Sequence, residues 1–547
     1  MLFNNFVYYY TSLAAIGSLV LYVVGRKRQY SSQQNHRFAS GFGQQNSEFR
    51  RFQHLFLIGY LPCLFADSLQ APYLYYLYQS YGYLESQIAV LYICGYATSI
   101  NFGLISVHLV QRVDRRLLCL VFVALNSVSC LMKFVDVYAV LLISRVMDGM
   151  ASALLVTPFQ EWYVHEHCAR YDFPKEWIAS TFGRVALLSG VLSVCAGFVA
   201  EFSESALRVT AFPFLLAIPV LLFSGFYMNT VWPENRVTSP PLVTASGVAV
   251  GSGSRPDAFW PQYSRALRVI VREPNVLLLA AVQSLFESCI FMFVFFWTPI
   301  FLRLKPIISE RPSFGGIYSC FMCSVLAGSL CHRLLVRRLS AVHLLSVCAA
   351  VAMVAMSIAA WLTYPSERDR VAASAVSSAA LSDDAAERTQ TPMSLSAASL
   401  SARRSSAQLL YATVLSVFGV YQFAVGLYFP SMQRLHRDLL TPAVSSGVGG
   451  SSTEQQSSTR MAVLAIFRVP LNVIASVGLL LIVTGAAGAP LHANWLMVML
   501  CVALLSVCLV TSLLLTRALA GSNVAQHAMQ QLVLRADDDD HEDDVFT

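Results

Sequence analysis

The chain is 547 residues long, 56% hydrophobic and only 12% charged, with a mean hydropathy of +0.57. No water-soluble fold can hide that much apolar surface, so a soluble enzyme or regulator is excluded and a polytopic helical membrane protein is implied. The net charge of +6 comes from Lys and Arg in connecting loops, where it sets orientation rather than pointing to nucleic acid.

About thirteen apolar segments each approach the ~20 residues needed to cross a bilayer. The first covers 4–24 and is followed by Arg26-Lys27-Arg28. Its apolar stretch is long and no small-residue cleavage site precedes the basic cluster, so an uncleaved anchor is preferred to a signal peptide. A polar linker, 26–51, follows. The remaining spans are expected at 54–77, 88–110, 117–134, 137–159, 178–200, 208–230, 276–301, 313–335, 342–363, 408–430, 461–484 and 492–516. Helices satisfy their own backbone in lipid, and these runs are too long and too uniformly apolar for barrel strands.

The connection 231–275 divides the core into two sets of six, 52–230 and 276–517. The Ser/Ala/Gly-rich stretches 365–407 and 441–459 read as disordered insertions. The tail from 518 ends in the acidic block Asp537–Asp544, read as a solvated tail before a partner-binding one. Arg26 to Arg28, Arg112, Arg115, Arg116, the central linker, Arg333, Arg337, Arg338, Arg434 and Arg437 all fall on one side of the bilayer. The positive-inside rule makes that side cytoplasmic, with the N-terminus outside and the C-terminus inside. Arg303, Lys305 and Arg311 are the exception. The 13 cysteines lie mostly within apolar segments and read as small core residues rather than as disulfides or metal ligands.

Six helices plus six around a cytoplasmic linker is the layout of the major facilitator superfamily. Several strings resemble one branch of it, the molybdate-anion transporters. They are Ala66-Asp67-Ser68-Leu69-Gln70-Ala71-Pro72-Tyr73, Gln87-Ile88-Ala89-Val90-Leu91-Tyr92, Glu161-Trp162-Tyr163-Val164-His165-Glu166-His167 and Tyr171-Asp172-Phe173-Pro174-Lys175-Glu176-Trp177. The second half adds Leu285-Phe286-Glu287-Ser288, Phe296-Trp297-Thr298-Pro299, Gly426-Leu427-Tyr428-Phe429-Pro430-Ser431-Met432 and Phe467-Arg468-Val469-Pro470-Leu471. The resemblance extends over both halves, from about 50 to about 515. It implies two six-helix bundles that take up molybdate by alternating access at the plasma membrane, preceded here by an extra N-terminal helix. It also marks a departure: Gln111 and Asp114 stand where the superfamily's signature loop usually has Asp and Gly. The basic pair Arg115-Arg116 remains as a gating candidate whose usual salt bridge must be rebuilt or lost.

Charge inside hydrocarbon is costly and tends to persist where it works or is paired. A tetrahedral dianion suits Arg, which offers a fixed fork of donors. Arg145, halfway along the fourth core span, is the leading candidate. It opens an R-x-x-x-G string with Gly149, and its alternative role is an i,i+3 ion pair with Asp148. Arg184 and Arg468, each expected about two turns into its span, are ligand candidates that can equally be structural, Arg184 through a pair with Glu161. Asp67 and Glu287, expected mid-span at equivalent places in the two halves, either couple transport to protons or neutralise an arginine. Gln70 shares a face with Asp67 and is a candidate oxyanion donor. Trp297 and Pro299, expected to end the seventh core helix, are gate candidates, together with Asp148 and Glu161.

His165-Glu166-His167 lacks metal-site spacing, and no nucleophile elbow or phosphate loop is present, so neither an enzyme nor a cofactor is expected. The substrate alternatives are sulfate or another small anion, or a polar metabolite. A membrane receptor or scaffold that transports nothing is the remaining reading.

Overall fold

The structure is a computed structural model in which residues 43–235, 259–308, 312–364, 397–447, 453–485 and 490–543 are described. Twelve helices among them are long and apolar enough to cross a membrane, and each matches one of the twelve expected core spans. The expected anchor at 4–24 lies outside the described residues, as does most of 365–407.

The first half runs α1 (Gly43–Gln70), α2 (Leu74–Ser80), α3 (Glu85–Leu109), α4 (Arg115–Met132), α5 (Tyr138–Leu154), α6 (Thr157–His165), α7 (Glu176–Leu207) and α8 (Phe212–Val231). A short amphipathic helix, α9 (Phe259–Arg272), precedes the second half. That half comprises α10 (Pro274–Ile308), α11 (Phe314–Leu335), α12 (Ala341–Leu362), α13 (Ala397–Leu435), α14 (Thr441–Gly447), α15 (Thr453–Gly485) and α16 (Pro490–Asp543).

In the first half α1 packs on α7 and α8, and α5 on α3 and α4. The second half repeats the pattern: α10 packs on α15 and α16, and α13 on α11 and α12. The halves meet along two helix pairs, α3 with α15 and α7 with α11. In the second pair the backbones nearly touch. A Cβ on Gly197 would lie 2.2 Å from the Ser319 hydroxyl, and one on Gly315 would lie 2.3 Å from the Gly197 carbonyl. Small residues are what let helices approach this closely in a membrane.

Five expectations about the helices are corrected. The span expected at 54–77 breaks after Gln70, because Pro72 has no N–H to donate and disfavours a helical residue before it; the chain turns at 71–73 and restarts as α2. Asp67 therefore sits in the last turn of α1 rather than mid-helix. The helix α10 runs through Pro299 to Ile308, so Trp297 and Pro299 lie inside it and not at its end. The stretch 441–459 is not a disordered insertion where it is described: α14 occupies its start, and the first turns of α15 bury Ser458 and Thr459. Because α15 begins that early, Arg468 is roughly four turns into it rather than two.

The loops 110–114 and 336–340 lie at one end of the bundle, with Arg115, Arg116, Arg333, Arg337 and Arg338 around them; it is called the basic end below. At the opposite, far end the halves are joined on both flanks. Arg303 of α10 pairs with Glu85 of α3 at 3.1 Å, and the Tyr96 hydroxyl donates to the Phe291 carbonyl at 3.0 Å. Phe295 takes the edges of Tyr75 and Tyr92, while Phe314 of α11 packs on Tyr73, Tyr76 and Trp297. Glu201 of α7 accepts from the Tyr73 hydroxyl at 2.8 Å and from the Gly315 N–H at 3.0 Å.

Gly197→Val should overpack the α7–α11 crossing, at about 1–3 kcal/mol. The expected outcome is a clearly lower melting temperature of the purified protein. Gly183→Ala on the same helix, where nothing lies within 4 Å, should leave it unchanged.

Candidate functional site

Two polar constellations lie in the membrane, one in each half. The first is centred on Asp148 of α5. Its carboxylate takes the Lys133 ammonium at 2.9 Å and the Arg145 guanidinium at 2.9 Å, and it also accepts from the Ser129 hydroxyl. Lys133, the residue that ends α4, is 1% exposed and extends the network to Gln70 at 3.1 Å; Gln70 in turn donates to Asn126 at 3.1 Å. The Arg145 guanidinium also stacks over the Tyr92 ring at 5.1 Å and donates to the Leu91 carbonyl at 3.4 Å.

Glycines make room for this arrangement. A Cβ on Gly95 would meet the Arg145 guanidinium at 2.7 Å, and one on Gly149 would meet the Gly95 carbonyl at 2.5 Å. The R-x-x-x-G string is thus an arginine and the small residue that lets α5 approach α3 closely enough to bury it. Of the two roles open to Arg145, the structure displays the ion pair with Asp148. Gln70 is likewise occupied by Lys133 and Asn126.

Asp67 is exposed although it is near Lys133, Asp148 and Tyr318 of α11. Its carboxylate therefore looks into space between the halves, not into packed protein. Sequence reasoning missed Lys133. It lies at the end of the span expected at 117–134, and only the fold turns it inward.

The second constellation is in the other half. Glu287 of α10 accepts from the Tyr428 hydroxyl at 3.1 Å and interacts with Gln283 and, electrostatically, with Arg468. Gln283 is within 2.9 Å of the His436 ring, and His436 is in turn close to Arg460 and Arg468. Arg468 is exposed, and among the described residues its guanidinium has no hydrogen-bond or ion-pair partner. The signal for Tyr428 was its place in the Gly426–Met432 string; Gln283 and His436 carried none.

Nearer the basic end, Arg184 is exposed and bonded to Gln53 of α1, which donates to Thr181 at 2.8 Å. The expected Arg184–Glu161 pair is not formed. Glu161 instead lies near Arg115, His165 and Arg460, the last reaching it from the second half. The gating pair is tied down within its own half. Arg116 bonds Glu234 at 3.2 Å and the Trp232 carbonyl at 2.9 Å, and Arg115 bonds Asn235. Asp114, where the superfamily's Gly was expected, caps α4 and accepts from the Asn235 N–H at 2.9 Å. Gln111 reaches across to Ser458 at 2.9 Å, so the altered loop bridges the halves through an uncharged bond.

His167 is buried and held by the Pro174 carbonyl at 2.9 Å, and Glu166 pairs with Arg170 at 3.3 Å. Cys320 and Cys323 have a Cys-x-x-Cys spacing, contrary to the expectation that the cysteines form no such pair; both are free and buried. Among the described residues no group of three His, Cys, Asp or Glu side chains gathers as a metal site.

The comparisons with known proteins bear on the family and the fold. A family model described as sugar transporters with twelve transmembrane segments matches residues 30–381. The molybdate-anion transporter of Danio rerio is 35% identical over 447 residues, 80% of each chain. The chain belongs to the molybdate-anion transporter family of the major facilitator superfamily. Family members named in the same words from Takifugu rubripes and Xenopus laevis are each 33% identical, over 80% and 81% of this chain and 80% and 82% of theirs. The solved nucleoside transporter NupG shares the fold, with a TM-score of 0.58 at 7% identity, over 85% of this chain and 99% of its own. The protein is thus a multi-pass membrane protein with a transporter fold.

Removing one partner of a buried ion pair strands a charge and costs about 3–5 kcal/mol. Asp148→Ala leaves both Lys133 and Arg145 unneutralised and should lower the melting temperature strongly. Lys133→Met leaves Asp148 paired with Arg145 and should lower it less. The order of the two melting temperatures is the check.

Proposed function

We propose that this protein is a secondary transporter, not an enzyme, that brings molybdate into the cell across the plasma membrane by alternating access. The basic end and the C-terminus would be cytoplasmic, as the Lys and Arg distribution suggests. The observation that carries the reading is Arg468: an exposed guanidinium deep along a membrane-spanning helix, with Glu287 as a nearby opposite charge. An arginine held there is worth its desolvation if an anion completes it. Its donor fork matches a tetrahedral oxyanion, and Arg184 with Gln53 offers donors from the other half.

This moves the leading role from Arg145 to Arg468. Arg145 supports the site by holding α3, α4 and α5 together. Asp67 and Glu287 are accessible carboxylates in the two halves, placed to exchange protons with the transport cycle; Glu287 alternatively balances Arg468 while the site is empty. The relatives named for molybdate supply the substrate. Sulfate has the same shape and charge and is the chief alternative. A neutral sugar, as the family model's description suggests, is less suited to an exposed arginine.

The test is uptake of labelled molybdate in cells that lack their own carrier, with surface expression checked. Wild type should show saturable uptake that excess sulfate does not abolish. Arg468→Ala should reduce it at least tenfold, equivalent to about 1.4 kcal/mol or more, with Arg468→Lys intermediate. Absence of uptake by surface-expressed wild type would overturn the substrate. Full uptake in Arg468→Ala would overturn the site.

A further inference from the structure

The helix α9 presents three faces. One is buried: Tyr263, Ala266, Val269 and Ile270 pack into a small apolar cluster with residues of α14 and α15. Beside it, Trp260, Leu267 and Val271 recur at i, i+7 and i+11 and so form one stripe. They are 78%, 53% and 67% exposed. Arg268 and Arg272, one turn apart on the next flank, are exposed as well. Only Glu273 separates α9 from Pro274, where α10 begins its span. Chain continuity therefore holds α9 at the level where a helix enters the bilayer.

An apolar stripe containing Trp, flanked by arginines at the edge of a membrane, has the layout of an interfacial helix. Water alone does not favour three large apolar side chains on one exposed stripe, and the charge beside them is of one sign. We infer that α9 is a binding site for anionic phospholipid. Trp260, Leu267 and Val271 enter the boundary between headgroups and acyl chains, and Arg268 and Arg272 take the headgroup charge. The buried side of the same helix bridges the halves. The Tyr263 hydroxyl donates to the Leu104 carbonyl at 2.6 Å, and the Phe259 ring meets His108. The lipid site thus sits on a segment that ties α3 to α15 at the basic end.

The experiment uses the full-length protein in phosphatidylcholine nanodiscs and reads tryptophan quenching by brominated acyl chains. The Trp260 contribution is the difference between wild type and Trp260→Phe. Brominated phosphatidylserine should quench that contribution several-fold more than the same fraction of brominated phosphatidylcholine. The surface double variant Arg268→Gln/Arg272→Gln, with its melting temperature unchanged, should lose the preference but keep the quenching. Equal quenching of wild type and Trp260→Phe would show that the stripe is not in lipid and overturn the inference. Equal quenching of the Trp260 contribution by the two lipids would overturn the anionic headgroup. Neither readout depends on which solute is carried.

Discussion

Asp148 neutralises two cations at once, and the first half of the protein is organised around that one carboxylate. Lys133 and Arg145 come from α4 and α5, and through them the network extends to Gln70 at the end of α1 and to Tyr92 on α3. Ions placed in hydrocarbon must be compensated by others, and a compensated cluster resists rearrangement because each member would strand its partners. Four helices are thereby held in one register at the depth where a transporter needs a rigid wall.

The second half handles charge differently. Glu287 has a tyrosine donor, while Arg468 among the described residues has electrostatic neighbours but no hydrogen-bonded partner for its guanidinium, and both remain accessible. The Asp148 cluster is closed upon itself, whereas Arg468 has binding capacity to spare. That asymmetry is hidden in the sequence, where each half simply carries acidic and basic residues within its spans. It also agrees with the proposal that the solute completes the second half's charge balance.

Relative movement of the halves depends on a limited set of contacts. The far end is held by aromatic packing around Phe295 and Phe314 and by the Arg303–Glu85 and Glu201 bonds. The basic end is bridged by Gln111 with Ser458 and by α9. Between the ends, glycines bring α7 and α11 to backbone contact. Close contact through small residues allows sliding without large side chains having to unlock. In the altered signature loop Gln111 gives an uncharged bond across the basic end, beside the electrostatic approach of Arg460 to Glu161, and a single uncharged bond is cheap to break and remake.

Hydropathy alone was enough to place the twelve core spans and the all-helical class, because the bilayer admits only self-satisfied helices of about that length. The ion pair of Arg145 with Asp148 was also legible, since i,i+3 spacing brings the two together on any helix. Partners from other helices were not. Lys133 carried no signal because its turn inward depends on α1 and α5, and Gln70 read as a ligand because Asn126 is far away in sequence. Arg184 was matched with Glu161, but packing gave it Gln53 and gave Glu161 to neighbours that include Arg460 of the other half. Local spacing and composition determine which segments enter the membrane and which charges accompany them. Which of those charges are neutralised and which stay available is decided only when helices distant in the chain are packed side by side, because compensation in a low-dielectric interior acts over a few ångströms of space.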